Sequence, residues 1–320
     1  MPRVSVIIPV YNSEKTIGEA LDSVAAQMYT DYEVIVVNDG SSDQSESIIK
    51  KYMRPPLDVT YVEQANKGPA AARNAGLRLA KGEFVVFLDA DDLWDKDKLA
   101  TAVQAMDANP EAKLVFTDMR HMVNDLLVHS SYLHERGYRH LSIGLIYDNL
   151  LKENFIFTPT VTLRRGVLKD VGYFDENLPI TEDYDLWLRI ARLYPVYFID
   201  RPLVTRRRTG GNITEDKQVY IESCIRLREK LLEIHKEEPG RRRLIEGHLK
   251  RDRYNLGYAL FDAMKFKESR KVFFQTLSDR NYFLKSLFYI IVSFLPVSVI
   301  QSLRRIRGRT GKRREASDIP

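Results

Sequence analysis

Three carboxylates crowd into four residues, Asp89-Ala90-Asp91-Asp92, directly after the apolar run Phe84-Val85-Val86-Phe87-Leu88. At the end of a buried strand such groups repel one another unless a cation is present. Hard oxygen ligands of this kind select Mg²⁺ or Mn²⁺, which also bridges the oxygens of a diphosphate. Three further loops add complementary chemistry. Pro9-Val10-Tyr11-Asn12 presents Tyr11, a ring that can stack on a nucleobase or simply pack. In Asn38-Asp39-Gly40-Ser41-Ser42-Asp43, Asp39 can accept an N–H of uracil or guanine, or serve the turn; Ser42 and Asp43 are the better helix caps. Asn66-Lys67-Gly68-Pro69 leads into a helix start that offers backbone donors and a positive dipole end, with Arg73 a turn further on for a phosphate or base edge. No Gly-Lys-Ser/Thr follows, so this is not a Walker loop.

Strands must carry these loops, and the first half of the chain supplies them. Val4 to Val10 is nearly continuous and apolar, as in a parallel sheet covered on both faces. Ile17, Leu21, Val24, Ala25 and Met28 keep helical spacing, and Ser13 is a candidate cap for that helix. Glu33 to Val37 reads as a strand, followed by a helix through Ile48 and Ile49 and a strand around Val59 to Val62. Pro69 suits the first turn of a helix over Ala70 to Ala80, and Glu83 to Leu88 is a further strand. Strands alternating with helices of this length imply a mostly parallel α/β sandwich, whose strand ends are where ligands bind. From Asp118 to Leu178 the pattern loosens, with a strand expected over Thr160 to Leu163 and a helix over Glu182 to Leu193.

The four loops, in order and spacing, resemble family 2 inverting glycosyltransferases of the GT-A fold over about residues 3 to 215. The resemblance rests on Val4 to Asn12, Val36 to Asp43, Asn66-Lys67-Gly68 with Ala72-Arg73-Asn74, and Phe87 to Asp92. It implies that Tyr11 and Asp39 hold the donor base, that Pro9 shapes that pocket, and that Lys67 and Arg73 help bind the nucleotide. Asp89 would contact the ribose and Asp91 would ligate a divalent metal on the diphosphate. Thr181-Glu182-Asp183 with Asp185-Leu186-Trp187 is similar to the family's catalytic-base segment, which makes Asp183 the expected base. Glu182 is the neighbouring alternative, and it and Trp187 would lie on the acceptor side, although core packing suits Trp187 at least as well. Relatives often carry a histidine after the last catalytic strand, where this chain reads Arg206-Arg207-Arg208-Thr209. Threonine takes that position, and Arg207 is the expected partner of the diphosphate.

Hydrophobic residues make up 44% and charged residues 29% of the 320, enough apolar content for a sizeable core. The single cysteine, Cys224, excludes an internal disulfide and a cysteine metal cage. A net charge of +5 gathers at Arg206 to Arg208, Arg241 to Arg243 and Arg304 to Arg314. No aromatic-and-basic recognition pattern accompanies it, so nucleic acid is not the expected partner. Beyond the catalytic region a helical extension over 216–280 is expected. Within it Tyr254, Leu256, Gly257, Leu260, Phe261, Ala263, Phe266 and Phe273 resemble one tetratricopeptide-type hairpin, which must pack on something else. Ser286 to Leu303 carries no charge but is broken by Pro296. Residues 281–320 therefore read as an interfacial tail on anionic lipid, or as a buried helix. No charged leader is seen before the first strand, so a cytoplasmic chain is expected, with the basic tail suggesting the inner face of the cell membrane.

The expected reaction is sugar transfer from a nucleoside-diphosphate sugar, UDP favoured, to a glycan or lipid-linked acceptor of envelope polysaccharide or glycolipid synthesis. A nucleotidyltransferase would show a glycine-rich basic loop after the first strand. A non-catalytic nucleotide-sugar binder would need no general base.

Overall fold

A computed structural model describes residues 1–55, 57–138, 144, 146–208 and 216–301. The chain folds as two compact units, Met1–Glu215 and Asp216–Pro320. In the first, the elements run β1 (Val4–Val10), α1 (Ile17–Ala25), β2 (Tyr32–Asn38), α2 (Ser45–Ile49), β3 (Thr60–Glu63), α3 (Pro69–Leu79), β4 (Phe84–Phe87) and β5 (Leu93–Trp94). They continue through α4 (Lys98–Ala108), β6 (Leu114–Val123), β7 (Leu126–His129), α5 (Tyr132–Glu135), α6 (Tyr147–Lys152), β8 (Val161–Arg164), α7 (Leu168–Val171), α8 (Glu182–Leu193) and β9 (Val196–Arg208).

All nine strands form one sheet in the order β3-β2-β1-β4-β8-β6-β9-β5, with β7 added on β6. β3, β2, β1 and β4 are mutually parallel, so the loops after β1, β2 and β4 emerge at one edge. β8 runs antiparallel between β4 and β6 and joins this half of the sheet to the parallel pair β6–β9. Val4, Val6, Ile7, Ile8, Val34 and Val36 are fully buried, as a doubly covered parallel sheet requires. Gly76 on α3 lets the helix settle on β1, because a Cβ there would meet Ile7 Cγ2 at 2.5 Å.

The regular first half agrees with the sequence to within a residue or two at most ends, but α1 stops at Ala25, short of Met28, and the short β5 was not expected. Ser13 does not cap α1 with its side chain. Its carbonyl accepts from Ile17 N at 2.9 Å, and its hydroxyl donates to Tyr11 O instead. In the looser second half, β6 and β9 are longer than anything the pattern suggested. They stay paired from Leu114↔Val196 to Val123↔Arg208, but the register slips twice around Asp118. Thr117 faces Ile199, Asp118 faces Pro202 and Met119 faces Val204, so β9 carries three residues more than its partner over this stretch. Asp118, fully buried at the slip, accepts from Met119 N, Leu133 N, His134 N and Ser131 Oγ, which fixes the start of α5.

The second unit contains α9 (Lys217–Ile234), α10 (Pro239–Asp262), α11 (Phe266–Thr276) and α12 (Phe283–Val292). Asp216 caps α9 by accepting from Gln218 N and Val219 N. α10 and α11 make the expected hairpin: Gly257 lies so close to Phe273 that a Cβ would meet its ring at 2.8 Å, and Ser269 Oγ donates to Gly257 O. What the hairpin packs on is α12. Phe261, Phe273 and Ile290 share a core with Ile300, and the Phe273 and Tyr289 rings stack at 5.4 Å. Among the described residues no helix is long and apolar enough to cross a membrane. The basic run Arg304 to Arg314 lies outside the described residues.

Candidate active site

Asp39 is buried at the end of β2 and builds the neighbouring loop. Its Oδ1 accepts from Gln64 Nε2 at 2.7 Å and Lys67 N at 2.9 Å, and its Oδ2 accepts from Gly68 N at 2.8 Å. Gly68, at φ 87°, supplies the left-handed turn that aims these N–H groups before α3 begins. The Lys67 side chain remains exposed. Across the same edge, Asn12 and Ser41-Ser42 bond to one another: Asn12 N donates to Ser41 Oγ, and Ser42 N donates to Asn12 Oδ1. Pro9 sits opposite Val37 on β1, and Tyr11 just beyond it is 51% exposed with its ring available for stacking.

Arg73 joins the two halves of the site. Its Nη2 donates to Asp89 Oδ1 at 2.8 Å and its Nη1 to Glu182 Oε1 at 2.6 Å, with the guanidinium 5.7 Å from the centre of the Phe174 ring. Asn74 holds Phe174 through both its backbone groups and also donates to Glu176. Arg73 is thus committed to two carboxylates that ligate α3, the β4 loop and α8 together. Burial pushes Glu182 up to about 7, against the opposing pull of Arg73. Glu182, expected on the acceptor side, is buried in this ion pair.

Asp183, the next residue, is held differently. Its Oδ2 accepts from Thr158 Oγ1 at 2.8 Å and its Oδ1 from Tyr184 N at 2.6 Å, in the first turn of α8. Burial raises its pKa, while Arg73 and these two donors oppose the shift. Thr158 belongs to a single tight turn, Thr158–Thr160, whose Pro159 carbonyl accepts from Trp94 Nε1. No motif marks Thr158 in the sequence. Trp187, read either as an acceptor platform or as core, packs in the core. It is 0% exposed, with its ring 6.5 Å from Phe87 and 6.1 Å from Phe174, because position 187 falls on the core face of α8.

The carboxylate loop is braced by β9. Arg207 N donates to Asp92 Oδ1 at 2.9 Å, Arg207 Nε donates to Asp91 O at 2.6 Å, and its Nη1 pairs with Glu19. Arg207, expected to meet the diphosphate, braces this loop, with its Nη2 left unbonded. Asp92 is buried and held well above the usual carboxylate range by burial and then by Asp91. Asp91 is pushed up to about 6 by burial and by Asp89 beside it. A cation would reverse both effects. Among the described residues no group of three or more His, Cys, Asp or Glu is arranged to hold a metal by itself. A Mg²⁺-type ion needs only one or two carboxylates plus substrate phosphates and water, and Asp91 fits that use. Thr209, in the position often held by histidine, lies outside the described residues.

A family model described as glycosyl transferase family 2 matches residues 5–172, more than half of the chain. The chain belongs to that family. It is 35% identical over 210 residues to an uncharacterised glycosyltransferase of Rickettsia typhi, covering 64% of each. It is 37% identical over 191 residues to TarS of Staphylococcus aureus, a poly(ribitol-phosphate) β-N-acetylglucosaminyltransferase, covering 57% of this chain and 31% of TarS. The chain thus spans about a third to two thirds of the length of these curated relatives. A TarS fragment solved in complex with UDP-GlcNAc superposes with TM-score 0.65 at 25% identity, covering 95% of this chain and 92% of the fragment. The GT-A fold also relates it to a Pyrobaculum calidifontis mannosyltransferase in complex with GDP-Man and Mn²⁺, at TM-score 0.61 and 21% identity.

Proposed function

We propose that this family 2 chain transfers a sugar from a nucleoside-diphosphate donor to an acceptor hydroxyl, with inversion at the anomeric carbon and Asp183 as base. One observation carries the reading: a carboxylate with a raised pKa is fixed on α8, and the Glu182–Arg73–Asp89 ion pairs tie that helix to the carboxylate loop. Base and donor loop are thereby held at a set separation, as single displacement requires. The nucleobase stacks on Tyr11, beside the loop that Asp39 ties, and UDP is the favoured donor. Asp89 keeps one oxygen for the ribose while Arg73 holds the other. Asp91 would hold the divalent ion, which when bound neutralises the departing diphosphate. Asp183 takes the proton of the acceptor hydroxyl as that oxygen attacks the anomeric carbon, and the bond from that carbon to the diphosphate breaks.

The test is thermal stabilisation by nucleoside diphosphates and their sugars, with Mn²⁺, Mg²⁺ or chelator. A ligand at one hundred times its Kd adds about 2.7 kcal/mol to the folded state. UDP with Mn²⁺ is expected to raise Tm, and chelator to remove most of the gain. A folded protein that no nucleotide stabilises would refute the donor site.

The acceptor is proposed to be an envelope glycan or a lipid-linked precursor, reached by peripheral contact with anionic lipid. On α12 Leu284, Phe288 and Ile291 recur on one exposed face, with Phe294 and Leu295 exposed just beyond, while Ser286 and Ile290 are buried opposite. The basic run Arg304 to Arg314 follows in the sequence. Such a pairing suits an interfacial helix. The full-length protein should co-sediment with phosphatidylglycerol liposomes at low salt, and the double variant Leu284→Asp/Phe288→Asp should not. Equal sedimentation of both would rule the surface out.

A further inference from the structure

We infer that the acceptor recognised by this site carries an oxyanion, a phosphate or a carboxylate, close to the hydroxyl that reacts, and that Arg206 with His121 receives it. The inference deepens the transferase reading above and rests on it. Arg206 and His121 are register partners on β9 and β6. The Arg206 guanidinium lies 5.1 Å from the centre of the Phe157 ring and bonds no carboxylate among the described residues. Its neighbour Arg207 points to the other side of the strand and is spent on the Asp91–Asp92 loop. Phe157 directly precedes Thr158, the residue that holds Asp183, so the guanidinium packs on a ring one position along the chain from the base's partner.

Aromatic rings surround the guanidinium. The His121 ring stacks at 6.1 Å on His129 and meets Tyr132 edge-on at 6.0 Å, and Tyr132 in turn meets Phe157 at 5.5 Å. His121 Nε2 is buried and makes no hydrogen bond, a condition native interiors rarely leave uncompensated. Burial and then Arg206, His129 and Arg208 push His121 down to about 4, so the site holds a neutral ring among cations. Among the described residues the carboxylate bonded to these rings is Glu135, which pairs with His129 Nδ1 at 2.7 Å and accepts from the Ser130 and Ser131 backbone. Asp91 and Asp92 exert their charge on Arg206 from the donor side, without a bond to it. A cation beside a cluster of aromatic rings, with an unused ring nitrogen among them, is complementary to an oxyanion on a sugar or polyol, which stacks on the rings and bonds the guanidinium in bidentate fashion.

The test titrates sn-glycerol 3-phosphate, glucuronate and uncharged glycerol into the full-length chain saturated with UDP and Mn²⁺, followed by calorimetry and by the histidine-ring NMR signals. Saturable binding of at least one anion, none of glycerol, and a shift of the His121 ring are expected; the tighter anion names the class. Arg206→Gln and His121→Phe should each weaken anion binding tenfold or more, and Arg206→Lys should keep part of it, with UDP affinity and Tm unchanged in all three. A chain that binds UDP but neither anion overturns the inference and leaves the transferase reading standing. Loss of UDP affinity in Arg206→Gln assigns the arginine to the donor and overturns it equally. Failure of the wild type to bind UDP at all refutes the donor reading instead.

Discussion

Asp183→Asn will cut the rate of sugar transfer steeply while leaving nucleotide binding intact. Asparagine has the same size; its Oδ1 can still accept from Tyr184 N, and its Nδ2 can donate to Thr158 Oγ1 once that hydroxyl turns to accept, so α8 keeps its first turn. It cannot take a proton, and a positioned base contributes on the order of 10²–10⁴ in rate. The expected pattern is a kcat lowered by about that factor, with UDP stabilisation unchanged. Thr158→Val separates position from charge. The Thr158 hydroxyl stabilises the ionised form of Asp183, so its loss should move the acid limb of the pH–rate profile to higher pH and lower kcat far less than Asp183→Asn does. Full activity in Asp183→Asn would move the base elsewhere. An unmoved acid limb in Thr158→Val would dissociate that limb from Asp183.

The second large effect concerns a group that takes no part in the reaction. Lys98, in the first turn of α4, is 0% exposed, lies 4.3 Å from the centre of the Trp94 ring, and has only a 3.4 Å contact to Thr162 Oγ1. No carboxylate pairs with it among the described residues, and burial pushes it down to about 7 from 10.5. Because the folded pKa lies below the unfolded one, the unfolded chain holds more protons between about pH 7 and 10.5. Stability therefore rises with pH across that window, and the deficit is largest at pH 7 and below. Lys98→Met should stabilise the protein by roughly 1–4 kcal/mol near neutral pH, the range seen when buried charge gives way to apolar packing. Urea midpoints of both proteins at pH 6, 7, 8 and 9 will show it: the gap should narrow as pH rises. A constant gap would mean that Lys98 does not titrate. Lys98 neighbours Trp94, whose indole holds the Pro159 carbonyl behind Thr158, so the same series measured by activity reads how firmly that turn is supported.

Much of this was legible from residue order, and the limits have physical causes. β1, β2 and β4 declare themselves because strands covered on both faces must be continuously apolar, and the loops after them stand out by contrast. β6 and β9 do not, because each leaves the core part-way: Arg120 and His121 interrupt one, and Asp200, Arg201 and Pro202 the other. Side-chain roles were less legible than positions. Glu182 and Asp183 are adjacent acids, and only the direction of α8 decides that one meets Arg73 and the other Thr158. Trp187 has the composition of a sugar platform and the placement of a core residue. Asp39 has the chemistry of a base contact, yet its geometry reveals the further task of tying the Lys67–Gly68 loop.

The slip between β6 and β9 acts as a selector. Side chains alternate across a strand with period two, so an odd excess of residues exchanges the two faces beyond it. The three surplus residues of β9 put Arg206 opposite His121 and turn Arg207 to the carboxylate loop. Adding or deleting one residue between Ile199 and Val204 would swap those assignments without changing any side chain near the substrate. Within the lineage of this chain, specificity could thus change by length alone, through a single codon gained or lost several residues from the site it redirects.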